Sequence, residues 1–363
     1  CPTGAASYAM PPSASLLTRL RTLLSAYRDA GGRKPVILVH DERHGADMIS
    51  LMARFGRGLP ANVIPFAVNE ATQTGLDLLT GALAYGASHV AVLVSAKKQG
   101  ELAGLAQQAG LAETVMAGLG YDSGRVSVLV EDDPDALEAQ LHALPGREPA
   151  RAGDFLPMGG KRAMLSLALS HLHDAAPAPV DTIQLPAGAP FGAVKVDTEG
   201  CTLCLSCVSV CPTGALTDDP DRPFLGFQED ACVQCGLCKA TCPEKVIALE
   251  PRVNFTAEAR AVQPIKQEEP FECVRCGKPF GTKGSVERIV AKLRDHPMFS
   301  DPGALERIRM CEDCRVIVQF ENGRNPLAGK PRPLTRTTED YLREREEGRA
   351  EGSLSGKDDP KRG

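Results

Sequence analysis

Cysteine is missing from a long stretch of this chain. No cysteine lies between Cys1 and Cys201, although the 363 residues include 13 of them. Secreted disulfide scaffolds are small and cysteine-dense, so this distribution argues against one. The sequence also lacks an apolar run near the ~18 residues that suggest a membrane span, and its start has no basic segment followed by a hydrophobic stretch. These absences predict a cytoplasmic protein without a membrane span.

The sequence has no large excess of either charge. Its 41 basic and 46 acidic residues give a formal net charge of -5. No strong positive field therefore exists to collect nucleic acid or anionic lipid, and we expect neither as a partner. With 43% hydrophobic residues, a chain of this length can build more than one core, so we expect a multidomain protein.

Short apolar runs alternate with helical patterns through residues 1–145. A helix is predicted over residues 16–29, and Gly31 and Gly32 stop it. Strands are predicted at residues 36–39, 63–68, 89–94 and 125–130. Strands that alternate with helices pair in parallel through right-handed crossovers. The segment therefore predicts an α/β domain with a doubly wound parallel sheet, for which we expect a flavodoxin-like strand order.

This domain lacks a phosphate-binding signature. Gly118-Leu119-Gly120 ends a helix instead of joining a strand to one, which the dinucleotide motif requires. Ligand sites in open α/β sheets lie at the carboxyl ends of strands, so the informative loops are the polar ones at residues 40–44, 69–74 and 95–99. Two interpretations stay open: these loops bind a ligand or a redox partner, or they cap helices at a solvent-facing edge.

Composition divides the rest of the chain into further segments. Residues 146–190 contain one helix and a Pro-rich stretch, which predicts a semi-rigid linker. Residues 191–255 and 256–320 hold the remaining cysteines in two groups. Residues 321–363 are charged and poor in apolar residues, so we expect a largely disordered tail.

Eight of the cysteines form a duplicated run. The first run is C-x2-C-x2-C-x3-C followed by proline, and every member of the second lies 31 residues after its counterpart. The runs are Cys201, Cys204, Cys207 and Cys211, then Cys232, Cys235, Cys238 and Cys242. Three thiolates on one tight loop can reach three irons of a cubane, whereas zinc binds cysteines in two pairs and has no use for a third at this spacing. The spacing therefore predicts iron-sulfur clusters.

Residues 192–249 resemble the bacterial two-cluster ferredoxins through these runs and the prolines Pro212 and Pro243 that follow them. The resemblance implies an α+β ferredoxin-like domain with two 4Fe-4S clusters. In that family the fourth cysteine of each run ligates the other cluster. Carried over to this chain, cluster one takes Cys201, Cys204, Cys207 and Cys242, and cluster two takes Cys232, Cys235, Cys238 and Cys211.

Four further cysteines form two pairs, Cys273 with Cys276 and Cys311 with Cys314. Four thiolates in two pairs suit a closed tetrahedral site, so we expect structural zinc in a small zinc-ribbon-like module. The 34 residues between the pairs exceed the spacing of short zinc ribbons, but a helix predicted over residues 286–296 can bring the pairs together. A mononuclear iron centre, another iron-sulfur cluster and free thiols remain alternatives.

The chain starts with a fragment of the cluster motif. Cys1-Pro2-Thr3-Gly4-Ala5 recurs as Cys211-Pro212-Thr213-Gly214-Ala215. We expect residues 1–5 to be the remnant of an upstream ferredoxin-like repeat in a longer protein, with Cys1 as the last ligand of that repeat. A chance match of five residues is the alternative.

These patterns predict an iron-sulfur protein that relays single electrons between redox partner proteins. No serine, cysteine or carboxylate constellation suits hydrolysis or group transfer, so no catalytic residue is assigned. Two alternatives stay open. One makes the clusters the internal wire of a larger oxidoreductase complex whose catalytic part is upstream or in a partner chain. The other gives them the role of a sensor or scaffold.

Overall fold

The computed structural model describes residues 11–300, 302–321 and 337–352. The motif at residues 1–5 lies outside these ranges. The helices are α1 Ser13–Asp29, α2 His44–Phe55, α3 Leu76–Ala84, α4 Leu102–Gly118, α5 Pro134–His142, α6 Lys161–Asp174, α7 Ser206–Ser209, α8 Leu237–Thr241, α9 Lys283–Leu293, α10 Pro302–Ile308, α11 Glu312–Glu321 and α12 Thr338–Gly352. The strands are β1 Val36–Asp41, β2 Val63–Val68, β3 His89–Val94, β4 Val126–Val130, β5 Thr182–Gln184, β6 Gly192–Val196, β7 Leu216–Asp219, β8 Arg222–Phe227, β9 Ile247–Asn254, β10 Gln263–Gln267, β11 Pro270–Glu272 and β12 Pro279–Thr282.

The first four strands form a parallel sheet in the order β2-β1-β3-β4. Every residue of the central strands β1 and β3 is buried, as is usual for a parallel sheet covered on both faces. The chain crosses from β2 past β1 to β3, and the order matches the first four strands of the flavodoxin-like arrangement. The predicted parallel α/β sheet is confirmed.

Helices cover both faces of this sheet. Helices α1, α3, α4 and α6 pack on one face, around the buried side chains of Phe66, Leu79 and Tyr85. Helices α2 and α5 cover the other face, around Met52 and Leu93. Burying an aliphatic or aromatic side chain of this size stabilises a fold by about 1.5–3 kcal/mol, so both faces contribute to the stability of the domain.

Residues 146–190, predicted as one helix and a Pro-rich linker, contain helix α6 and further residues that pack on the α/β core. Helix α6 has an apolar stripe that is buried in the same core as α3, and Ile183 and Leu185 beyond it are buried as well. The stripe consists of Met164, Leu165, Ala168, Leu169 and Leu172. The prolines indicated a linker because proline interrupts regular structure, but the apolar side chains between them hold the segment on the α/β core.

The cysteine-rich region folds as two antiparallel strand pairs, β6 with β9 and β7 with β8. Strand β10 extends the second pair, and β9 also pairs with β5 of the preceding segment. Helices α7 and α8 each contain the third cysteine of one run, Cys207 and Cys238. Val194, Leu225, Phe227 and Ile247 form part of a separate core that also contains buried cysteines. This is the predicted ferredoxin-type domain.

Residues Glu272–Phe280 and Ile289–Gly363 belong to a second compact unit. One buried cluster in this unit consists of Cys273, Met310, Cys311 and Cys314, with Phe280 and Val318 packed against them, and Val290 and Ala304 are buried as well. So few buried apolar side chains stabilise a fold only weakly, and domains of this kind commonly depend on a bound metal.

The segment predicted to be a disordered tail contains helix α12. Its start has a reciprocal cap, because the Asp340 N–H donates to Oγ1 of Thr337 over 3.3 Å and the Thr337 N–H donates to Oδ2 of Asp340 over 2.8 Å. Low apolar content predicted disorder, but this cap satisfies backbone groups of the first turn. The rest of the predicted tail, residues 322–336 and 353–363, lies outside the described part of the chain. In the parts that are described, no helix is both long and apolar enough to cross a membrane.

Candidate iron-sulfur and metal sites

Four cysteines line one cavity, which we call site one: Cys201, Cys204, Cys207 and Cys242. Most other lining side chains are apolar, including Leu225 and Ile247. The backbone N–H of Leu203 points at Sγ of Cys201 over 3.5 Å. Cys207 is buried and Cys204 is exposed, so one edge of site one reaches the protein surface.

Four other cysteines line a second cavity, which we call site two: Cys211, Cys232, Cys235 and Cys238. Its other lining side chains include Phe227 and Leu249. The backbone N–H of Gln234 donates to Sγ of Cys232 over 3.5 Å, and the side-chain Nε2 of Gln234 lies 3.5 Å from the same sulfur. Cys235 is exposed, so site two also reaches the surface.

Each site combines residues of both runs. Cys242, the last cysteine of the second run, lies with the first three cysteines of the first run. Cys211, the last cysteine of the first run, lies with the first three of the second. Neither site has its four cysteines without a residue from the other run. Binding of a cluster at one site would therefore constrain the backbone around the other site.

The duplication extends to the backbone conformation. Between Cys201 and Lys245, residues with positive φ form three pairs 31 residues apart. The pairs are Leu203 (51°) with Gln234 (53°), Leu205 (58°) with Gly236 (79°), and Gly214 (66°) with Lys245 (55°). Left-handed residues let a short loop turn sharply, so each loop can direct three sulfurs into one cavity.

Replacing Lys245 with glycine should stabilise the cluster-loaded protein. The left-handed conformation costs a residue with a Cβ roughly 1–2 kcal/mol, and glycine already occupies the equivalent position at Gly214. Part of the gain is offset by the greater chain entropy of unfolded glycine, so we expect a net increase of about 1 kcal/mol. Anaerobic denaturant unfolding measures it. Lys245→Ala is the control, because it removes the charge and keeps the Cβ. Equal stabilisation by both variants would refute the conformational explanation.

Burial raises the pKa of four of the eight cluster-run cysteines. It raises the pKa of the Cys207 thiol to about 11 and also raises the pKa of Cys238. At Cys211 burial raises the pKa too, but hydrogen bonds from backbone N–H groups, led by that of Leu216, outweigh it and the net shift is downward. Metal ligands bind as thiolates, so loading these sites releases protons from the buried thiols.

The donor set fits a polynuclear cluster better than a single ion. Among the described residues, the cysteine group compact enough to hold one ion lies elsewhere, in the second unit. The sulfurs around sites one and two therefore leave room for a larger inorganic core. Thiolates are the ligands that hold 4Fe-4S clusters, and N–H groups directed at sulfur, as at Cys201 and Cys232, stabilise them.

The compact group has all four sulfurs within 4.8 Å of one another: Cys273, Cys276, Cys311 and Cys314. The Sγ atoms of Cys276 and Cys311 are 3.7 Å apart. A tetrahedral zinc with bonds of about 2.3 Å has sulfur–sulfur edges of about 3.8 Å. The backbone N–H of Cys311 also donates to Sγ of Cys273 over 3.3 Å. This geometry suits one tetrahedral metal ion.

Backbone N–H groups favour a thiolate in this group. Burial raises the pKa of Cys273, but hydrogen bonds from the N–H groups of Cys311, Cys276 and Arg275 outweigh it and lower the pKa to about 6. Burial, together with the neighbouring thiols, raises the pKa of Cys314. The group therefore presents a negative charge to an incoming cation near neutral pH.

The polar loops of the α/β domain contact one another at the carboxyl ends of the strands. The Nζ atom of Lys98 lies 2.6 Å from Glu70 and 3.7 Å from Asp41. Oδ1 of Asp41 accepts hydrogen bonds from the N–H groups of Arg43 and Gly45 at the start of α2, over 3.0 and 3.1 Å. Burial raises the pKa of Glu70, but its hydrogen bonds with Lys98 and with the backbone and side chain of Thr72 together outweigh burial, so the net shift of the pKa is downward. These groups pair with each other and with the backbone of α2.

Three polar side chains beside site one and site two are not predicted by the sequence patterns. Gln234 contacts Cys232, Nη2 of Arg162 donates to the Cys232 carbonyl over 3.0 Å, and Nζ of Lys266 donates to the Cys201 carbonyl. Aligning the two halves of the duplication could have found Gln234, because its counterpart is Leu203. The other two lie 70 and 65 residues from their partners, and no local pattern indicates them.

Residues 200–247 match a family model described as a 4Fe-4S dicluster domain. The protein NrfC homolog of Haemophilus influenzae is 29% identical over 113 residues, which are 28% of this chain and 49% of the relative. Pyruvate synthase subunit PorD of Thermotoga maritima is 35% identical over 60 residues, 16% of this chain and 60% of the relative. Ferredoxin 7Fe of Hydrogenibacillus schlegelii is 39% identical over 54 residues, 14% of this chain and 67% of the relative. The chain thus spans about half the length of the first relative.

Cysteine-lined cavities on a ferredoxin-type fold, together with these matches, define an iron-sulfur protein that transfers electrons. Through residues 200–247 the chain belongs to the ferredoxin family. The match covers the duplicated cysteine runs, and the α/β domain and the second unit lie outside it.

Proposed function

We propose that this chain carries two 4Fe-4S clusters, one in site one and one in site two, and relays single electrons between redox partners. The supporting observation is that each cavity is lined by four cysteines, three from one loop and one from the other run. The duplication favours a relay over a scaffold, because a structural role needs only one cluster.

A bound 4Fe-4S cluster supplies a one-electron redox couple. The thiolates of each site hold the inorganic core, and the apolar side chains around it exclude water. The N–H groups directed at Cys201 and Cys232 stabilise negative charge on sulfur. Because Cys204 and Cys235 are exposed, each site has an edge that a redox partner can approach.

For the compact group of Cys273, Cys276, Cys311 and Cys314 we propose a structural zinc ion. Four cysteine sulfurs surround the position, so no coordination site is left for a substrate. Three of these cysteines, Cys273, Cys311 and Cys314, form a buried cluster with Met310 in the second unit. A metal there would stabilise a fold that has little other buried apolar surface.

We propose that the ferredoxin-like domain at residues 191–255 transfers electrons beside a catalytic partner in a larger oxidoreductase, with the α/β domain as its docking part. The name of PorD as a subunit of pyruvate synthase supports this role. Its substrate does not carry over, because the similarity covers 16% of this chain.

Metal analysis of anaerobically purified protein tests the proposed function. We expect about eight irons and eight sulfides, with one zinc, and reversible reduction by dithionite. More iron without zinc would place the compact group in the redox chain. Iron well below this count, with no reducible signal after reconstitution, would exclude the electron-relay function.

A further inference from the structure

Resting on the proposed function, we propose that the two clusters are electronically unequal and that site two is reduced before site one, with Gln234 as the residue that sets the order. The ligand types and the loop conformations are the same at the two sites. The difference lies in the side chains that surround the sulfurs. The reduced cluster carries one more negative charge, so hydrogen bonds to sulfur and nearby positive charge favour reduction.

The Gln234 side chain is the principal difference. Its Nε2 donates to the Ala193 carbonyl over 3.0 Å and lies 3.5 Å from Sγ of Cys232. An amide nitrogen has two N–H donors, so it can serve both acceptors, and the carbonyl partner fixes which end of the amide faces the sulfur. At the equivalent position of site one, Leu203 has no side-chain donor, although its backbone N–H contacts Cys201 as that of Gln234 contacts Cys232.

The packing around Gln234 fixes the amide in this position. Gly192 lies directly beside it, and a Cβ at Gly192 would be 2.8 Å from the Nε2 atom. The Oε1 atom of Gln234 is buried without a hydrogen-bond partner. An orphaned buried acceptor costs free energy, so the orientation is retained against a penalty, and the donor end stays directed at the sulfur and the carbonyl.

Buried charge acts in the same direction. The guanidinium of Arg162 donates to the carbonyls of Asp230 and Cys232 over 2.9 and 3.0 Å. Among the described residues, no carboxylate lies within ion-pair distance of it. Site one has a comparable cation, Lys266, on the Cys201 carbonyl, but the Nζ of Lys266 is paired with Glu268 at 2.7 Å. The Asp230 carboxylate acts on Arg162 only from beyond ion-pair distance, so the cation beside site two is less closely paired than Lys266 beside site one.

Hydroxyl groups do not cancel this difference. Oγ of Ser206 lies 3.5 Å from Sγ of Cys204 in site one, and Oγ1 of Thr213 lies 3.8 Å from Sγ of Cys211 in site two. Each site has one such contact, so the amide of Gln234 remains the additional donor. In the first reduction, the proposed cluster of site two accepts one electron from a one-electron donor. The donor is oxidised, and no bond forms or breaks.

A reciprocal exchange of the two equivalent residues tests this. The full chain, loaded with clusters, is titrated potentiometrically with dithionite and followed by electron paramagnetic resonance. We expect Gln234→Leu to lower the higher midpoint by about tenfold in the reduction equilibrium, or 59 mV for one electron, and to leave the lower midpoint in place. Leu203→Gln should raise the lower midpoint. Equal iron and sulfide content in all variants is the control for assembly.

The midpoints of the two variants and of the unmodified chain decide whether Gln234 sets the order of reduction. If Gln234→Leu shifts the lower midpoint, or shifts neither, the assigned order is wrong. If Gln234→Leu does not assemble, Leu203→Gln still decides, because a lower midpoint that stays in place contradicts the role of the amide. Absence of any reducible signal in the unmodified chain would instead refute the proposed relay, so the two failures are distinguishable.

Discussion

We expect the variant Cys242→Ala to lose the proposed cluster of site one and to keep that of site two, although Cys242 lies in the second run of the sequence. Site one is the cavity that Cys242 shares with Cys201, Cys204 and Cys207. Removing one of four thiolates leaves an iron without its protein ligand. We expect the iron content to fall from about eight to about four atoms per chain, measured after anaerobic purification.

Double variants identify the site that is lost. Adding Cys204→Ala to Cys242→Ala should remove no further iron, because both residues belong to site one. Adding Cys235→Ala should remove the rest, because Cys235 belongs to site two. The reverse pattern would show that each run holds its own cluster without exchange. Non-additivity of this kind is expected of residues that act as one unit.

We expect the variant Cys314→Ser to lose the proposed zinc and to unfold the second unit, while the iron content stays unchanged. Structural zinc in small peptides contributes an apparent free energy of about 10–16 kcal/mol at pH 7. The buried cluster around the site consists largely of the cysteines themselves, so little else in it can compensate. Zinc analysis and hydrogen exchange measure the result, and the amides of α11 should lose their protection.

Lys278→Ala is the matched control for this experiment. Nζ of Lys278 lies 2.9 Å from Glu312 and 3.2 Å from Asp313 at the surface of the same unit. Exposed ion pairs of this kind contribute about 0–1 kcal/mol, so this variant should keep both zinc and protection. Retention of zinc and protection in Cys314→Ser would contradict a structural metal, and a fall in iron would place this group among the cluster ligands.

Most of the α/β domain could be predicted because its signals are local. Strands β1 and β3 are continuous apolar runs that the parallel sheet buries completely, and Gly31 and Gly32 follow the end of α1. The segment at residues 146–190 could not be placed in the same way. Its prolines give a strong local signal, whereas the burial of Ile183 and Leu185 depends on tertiary contacts with the core.

The sites were predictable to the extent that their ligands repeat. Spacing predicted which cysteines lie together, because a cubane and a tetrahedral ion need different arrangements of thiolates. Spacing gave no information about Arg162, which reaches site two from α6, or about Lys266, which reaches site one from β10. Residues that tune a cluster through long-range contacts leave no periodic pattern in the sequence.

Spin quantitation tests the two-cluster relay most directly. The protein is reduced fully with dithionite under anaerobic conditions, and its electron paramagnetic resonance signal is integrated against protein concentration. We expect two spins per chain, with spectra broadened by interaction between neighbouring reduced clusters. One spin per chain, or two that do not interact, would contradict a relay built from site one and site two.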